Sequence, residues 1–196
     1  MSEQIIGPAR LQAFSDGVIA IIITIMVLEL HVPSAPEPAA LFALWPIFVS
    51  YFLSYFTVAI YWANHHRLFH LCRHVNNAVL WTNILFLFCL SLIPFATAYL
   101  GQMRFTSFAA AVYGACLLLP NLAFVPMRLA VAAQLKDEPD YARVHRRSSI
   151  KGYVSHVLYA ASIPAAYVHP ALTLILAFIV AAIYFLPNAW LGEKHH

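Results

Sequence analysis

Two groups of residues in this 196-residue chain have the types and spacing to do chemistry. The first is Asp16, within the run RLQAFSDGVIAIIITIMVLEL from Arg10 to Leu30. Its purely apolar part, Gly17 to Leu28, makes about 18 Å of helix at about 1.5 Å per residue, too short for a hydrocarbon core of about 30 Å. A spanning helix must therefore extend toward Arg10. That extension carries Asp16 below the headgroups, where an ionisable side chain needs a partner or water. Arg10, Ser15 and the histidines near residue 65 are the candidate partners. Two roles fit an acid there: a buried ion pair or hydrogen-bond network that locks helix ends together, or an ion-attracting vestibule or proton relay.

The second group is the segment NHHRLFHLCRH, Asn64 to His74, in which His66, His70 and His74 fall at steps of four on one helical face. Imidazoles at that spacing can bind a transition metal. HRLFH, however, lacks the glutamate of H-E-x-x-H, and no cysteine pair or acidic third ligand accompanies it. A cation-rich helix extension is the plainer reading, and no metal site is expected. A histidine titrating near neutrality would still confer pH sensitivity. The chain has no G-x-S-x-G elbow, Walker loop or paired carboxylate site, so neither an enzyme nor a cofactor is expected. Also absent is the TVGYG loop, whose carbonyls replace an ion's hydration shell in potassium channels.

The elements that must position these residues are transmembrane helices. At 62% hydrophobic and 10% charged, the chain lies far from the globular average of about 25% charged. Its apolar residues come in blocks of roughly 20, which fits an all-α, polytopic membrane protein rather than a barrel. Six spans are predicted: Leu11 to Leu30, Ala43 to Asn64, Val79 to Leu100, Phe105 to Pro126, Gly152 to Val168, and Ala171 to Trp190. Together they form a single six-helix domain over residues 1–196. The connections are a segment with Pro33, Pro36 and Pro38, the histidine-rich stretch near His65 to Asn77, a turn at Gly101 to Arg104, a charged segment from Arg128 to Lys151, and a turn at His169 and Pro170. Nothing before the first block resembles a signal peptide, so the first helix is expected to be retained. Cys72, Cys89 and Cys116 lie in or beside apolar helices and read as reduced thiols.

Cation placement predicts orientation. With the N-terminus cytoplasmic, Arg10, Arg67, Arg73, Arg128, Lys136, Arg143, Arg146, Arg147, Lys151 and Lys194 lie inside, and only Arg104 lies outside. Both termini are then cytoplasmic. Trp62, Trp81 and Trp190 fall at inner ends and Trp45 at an outer end, as an aromatic belt requires. The cluster Arg143, Arg146, Arg147 and Lys151 either touches anionic lipid or simply holds its loop inside. The formal charge of +3 is thus explained by orientation, without nucleic acid. The two halves of the chain show no repeat.

Along the first span, Gly17, Ile21, Thr24 and Leu28 share one face, with Ala13, Gly17, Ala20 and Thr24 as a small-residue stripe beside them. Small stripes let membrane helices approach closely. A helix apolar on every side belongs in the middle of a bundle, with five other spans to surround it. Were several copies to assemble around it, Ile21, Ile25 and Leu28 would face an axis and form a constriction that gates by dewetting. Pro94 falls inside the third span and Pro120 and Pro126 inside the fourth, where kinks are expected.

Arg10-x3-Phe14-Ser15-Asp16, continuing through Ala20, Ile21, Thr24 and Ile25, resembles the R-x3-FSD signature of the lysosomal potassium channel family, transmembrane protein 175 and its prokaryotic relatives. The resemblance extends to Trp62, His65 and His66 in the second span and to Asn83, Pro94, Phe95 and Thr97 in the third. It implies a leak-type, potassium-permeable cation channel whose pore is lined by the first helix, with a hydrophobic constriction instead of a carbonyl filter. Prokaryotic members carry one six-helix unit and assemble as homotetramers. One signature in this chain fits that form, in the cytoplasmic membrane of a prokaryote, with lipid and monovalent cations as its partners. By the same resemblance the constriction falls on Ile21, further lumen positions fall on Thr24, Ile25 and Leu28, and Arg10, Phe14, Ser15, Asp16 and His65 or His66 form a network linking inner helix ends. The competing reading is a proton- or ion-coupled secondary transporter using Asp16 as carrier; repeats and midplane charges of that class are absent. A third is a non-conducting assembly or metal sensor built on the histidine stripe.

Overall fold

The computed structural model describes residues 6–33, 35–135 and 141–185, with 141–149 given by backbone alone. The described chain is all-helical. Helix α1, Pro8–Ile25, starts with proline in its first turn, where the missing N–H would have no intrahelical partner anyway. A 3₁₀ turn, Met26–Glu29, prolongs it. A short α2, Pro38–Phe42, precedes α3, Trp45–Phe69. Then follow α4, Asn77–Leu90, α5, Ile93–Gln102, and α6, Ser107–Ala132. The last two are α7, Tyr141–Val168, and α8, Ala171–Phe185.

Among the described residues, four stretches are long and apolar enough to cross a bilayer: Pro8–Glu29, Trp45–Phe69, Asn77–Gln102 and Ser107–Leu135. The protein is therefore built as a multi-pass membrane protein. Against the six spans expected, α8 is apolar but only 15 residues long within the described part. Its expected end at Trp190, together with Lys136 and Lys194, lies outside the described residues. Helix α7 begins well before Gly152, so much of the expected charged connection is helix, and it places Arg143, Arg146 and Arg147 on the α7 backbone.

Three expectations are corrected by the helix geometry. Helix α3 runs past Asn64 to Phe69, with His70 as its cap, so His74 is off the helix and the expected three-histidine face is reduced to His66 and His70. The third span is interrupted rather than kinked within one helix. Helix α4 closes at Leu90, and Pro94 sits in the first turn of α5, where it deprives no helix of a hydrogen bond. Finally, α1 is the least buried of the four long stretches and lies at the edge of the described bundle, not in its middle.

Helix α6 takes the central position, packing against α4, α5, α7 and α8. It runs through both Pro120 and Pro126. Its small residues let the neighbouring helices approach closely, because membrane helices associate through van der Waals contact. A Cβ on Gly114 would lie 2.4 Å from the Ser162 hydroxyl of α7, and one on Gly101 would lie 2.9 Å from the Ile47 backbone of α3. Between α3, α5 and α6, the Ser54 hydroxyl stands 2.7 Å from Thr97 Oγ1 and 3.0 Å from the Tyr113 hydroxyl, so each buried polar group finds a partner. Helix α5 ends in a Schellman turn: the Phe105 N–H donates to the Leu100 carbonyl and that of Arg104 to Gly101. Arg104 and Phe105 both have positive φ, at 47° and 58°.

Candidate functional site

The N-terminal parts of α1 and α4 and the C-terminal part of α3 converge on a chain of polar side chains. Ser15 sits at the buried side of α1 and donates its hydroxyl proton to the Leu11 carbonyl one turn back, at 2.9 Å. It accepts from the Asn83 amide nitrogen at 3.0 Å. The Asn83 carbonyl oxygen in turn accepts from His65 Nε2 at 2.8 Å. All three side chains are fully buried. The His65 ring stacks on Phe69, at 4.4 Å between centroids, and on Phe86, at 5.6 Å. Among the described residues, His65 Nδ1 has no hydrogen-bond partner. A cationic ring would present a second N–H there with nothing to receive it, so the neutral Nε2–H tautomer fits the site.

Asp16, one residue on, turns to a different partner. Its carboxylate accepts from the Trp62 indole N–H at 2.8 Å. Arg10 is exposed on the same helix, and among the described residues no ion pair joins it to Asp16. Phe14 is likewise exposed. His66 lies beside Trp62, with 5.4 Å between ring centroids, and its Nδ1 receives the Gln12 amide of α1 at 2.7 Å. The two adjacent histidines therefore reach α1 by separate routes, His65 through Asn83 and Ser15 and His66 through Gln12. Reasoning from sequence overlooked Gln12, and it read Trp62 as a belt residue and a position of family resemblance but not as the partner of Asp16. Asn83, an amide inside an apolar span, was the available signal, since such groups must find partners in the membrane.

Further along α1 the chain divides by side. Leu11, Ser15, Ile19, Ile22 and Met26 face the bundle, with Ile19 only 1% exposed. Phe14, Ile21, Ile25 and Leu28 face away from it, with Ile21 58% and Leu28 73% exposed. Thr24 lies on the same outward side, its hydroxyl bonded back to the Ala20 and Ile21 carbonyls at 3.0 Å each. This internal bonding leaves the outward stripe without a free hydroxyl donor. No group of three or more histidine, cysteine or acidic side chains among the described residues is arranged to hold a metal.

An all-helical, multi-pass architecture with a polar network buried at one end and an apolar stripe turned outward on its first helix defines a membrane protein of a restricted kind. Residues 10–94 match the family model described as "Endosomal/lysosomal potassium channel TMEM175". A protein named a potassium channel from Chryseobacterium sp. (strain P1-3) is 38% identical over 179 residues, covering 91% of this chain and 93% of its own. Another so named, from Streptomyces collinus, is 33% identical over 185 residues, covering 89% of this chain and 90% of its own. A crystal structure described as a lysosomal potassium-selective channel TMEM175 homolog from Chamaesiphon minutus superposes with a TM-score of 0.74 at 26% identity, covering 91% of this chain and 98% of that one. The chain belongs to the TMEM175 family.

Proposed function

We propose that this chain is the subunit of a homotetrameric, potassium-permeable, leak-type cation channel in the cytoplasmic membrane of a prokaryote. Six spans cross the bilayer with both termini inside, and the four copies of α1 surround the pore. The observation that carries this reading is the two-sidedness of α1. One side packs on α3, α4 and α5, with Leu11, Ser15, Ile19, Ile22 and Met26 buried, while an apolar stripe of large side chains faces away from its own subunit. Four such stripes around an axis form a hydrophobic constriction, narrowest at Ile21 and continued by Thr24, Ile25 and Leu28, that gates by dewetting. The relatives named as potassium channels along nearly their whole length supply the ion.

In this reading Ser15, Asn83 and His65, with Asp16 on Trp62, keep α1 in register against its own subunit, and Arg10 and Phe14 lie at the inner mouth. A coupled transporter using Asp16 as its carrier is disfavoured, because the carboxylate is engaged by a tryptophan rather than poised at midplane. Reconstituted in vesicles, the protein should carry potassium down its gradient with no other driving ion. Ile21→Asn should raise that flux or loosen its selectivity by wetting the constriction; conduction and selectivity both unchanged would defeat the pore assignment.

A further inference from the structure

The histidine pair at the end of α3 has a geometry that the channel reading does not use. His66 and His70 are one helical turn apart, and their Nε2 atoms stand 3.0 Å from each other. Metal–nitrogen bonds of about 2.0–2.1 Å place two neighbouring imidazole nitrogens on one metal roughly 3.0–3.4 Å apart, so the pair already has the bite of a chelate. His66 is half-buried and His70, at the cap of α3, is exposed, so the pair opens to the surface of the subunit. From α1, Gln12 engages the other nitrogen of His66 at 2.7 Å.

We propose that His66 and His70 form a two-imidazole site for a borderline transition-metal dication such as Zn²⁺ or Ni²⁺, with Gln12 orienting His66 and water completing the coordination. Without metal, the Gln12 N–H donates to His66 Nδ1, so the His66 proton is on Nε2 and points to His70 Nε2. Metal at Nε2 requires that proton on Nδ1. A half-turn of the Gln12 amide then presents its oxygen to the new Nδ1–H, and the contact across the helices is kept. Such an outer partner is the usual means by which a metal-bound imidazole is held in one tautomer and orientation. His70 already offers a bare Nε2. Imidazole ligands suit Zn²⁺ and Ni²⁺ and not Mg²⁺ or Ca²⁺, which take oxygen donors. His74, beyond the end of α3, is no part of the site.

The proposal is independent of what the protein conducts, and binding tests it directly. The full-length protein, with His195→Gln and His196→Gln to remove another adjacent histidine pair, is titrated with Ni²⁺ by calorimetry. One saturable site per chain is expected. His70→Gln should abolish it, Gln12→Leu should weaken it about tenfold, and His74→Gln should leave it unchanged. Binding that survives His70→Gln, or that His74→Gln weakens equally, would overturn the site. Binding lost with His70→Gln but indifferent to Gln12→Leu would overturn the orienting role. His70 and His74 are both exposed, so either variant should keep the parent's elution profile, and a changed profile in His70→Gln alone would itself count against a solvent-facing chelate.

Discussion

Asn83 carries more of the buried polar network than any other side chain, because its amide donates to Ser15 in α1 and accepts from His65 in α3. Asn83→Leu keeps the volume roughly constant but strands the His65 Nε2–H in a fully buried position. An unpaired buried donor costs about 1–3 kcal/mol. Thermal unfolding in detergent should show a lowered midpoint, whereas Asn76→Ala, at the exposed cap of α4, should cost about 1 kcal/mol. Cys72, in the connection after α3, offers a second check. Burial pushes its thiol above the ordinary value, and its Sγ–H donates to the His74 carbonyl at 3.3 Å. A raised pKa means less thiolate at any given pH, so maleimide labelling of Cys72 should be slow near neutrality and keep rising above the ordinary thiol range. Labelling that levels off at that range would contradict its burial. The residue types at this end were legible in the sequence, since Ser15, Asp16, Asn83 and the histidines are polar groups in apolar spans. Their pairing was not. Asp16 with Trp62 and Gln12 with His66 are joined across 46 and 54 residues, and only the rotation of α1 against α3 decides which side chains meet.

Among the elements, the close approach of α6 and α7 rests on Gly114. Gly114→Ala forces its new methyl against the Ser162 hydroxyl and should destabilise the protein by about 1–3 kcal/mol. Ser162→Ala removes that oxygen and should recover most of the loss in the double variant, because the next atoms lie at 3.5 Å, an ordinary contact distance. Absence of rescue in a double-mutant cycle would place the strain elsewhere. Hydrophobic runs located the helices, but their ends were harder to read. The cation-rich extension expected after Asn64 is present, but it stops at Phe69 rather than reaching His74, and the spacing of the histidines gave no sign of that end. Pro94 marked a disturbance without saying whether the helix would bend through it or begin anew before it. The buried side of α1 was similarly hidden: when every side of a helix is apolar, hydrophobicity does not distinguish subunit, lipid and lumen. Only Ser15 marked the inward side.

For the whole molecule, the proposed assembly gives the outward stripe of α1 a lumen to face where lipid would otherwise cover it. The polar network anchors the N-terminal half of α1 and the bundle-facing residues hold its length, which in the proposed channel leaves Ile21, Ile25 and Leu28 to line a pore between subunits. Accessibility of these positions to a permeating thiol reagent is the most direct test. In a background with Cys72, Cys89 and Cys116 replaced by serine or alanine, cysteine is introduced at Ile21 on the outward side of α1, at Ile19 on its buried side, and at Phe178 on the exposed side of α8. Potassium flux from vesicles is then followed as Ag⁺, close to potassium in size and reactive with thiols, is added. Block of flux in Ile21→Cys, with Ile19→Cys and Phe178→Cys unaffected, is the predicted result. Persistent flux in Ile21→Cys, or equal block in Phe178→Cys, would contradict a pore lined by the first helix.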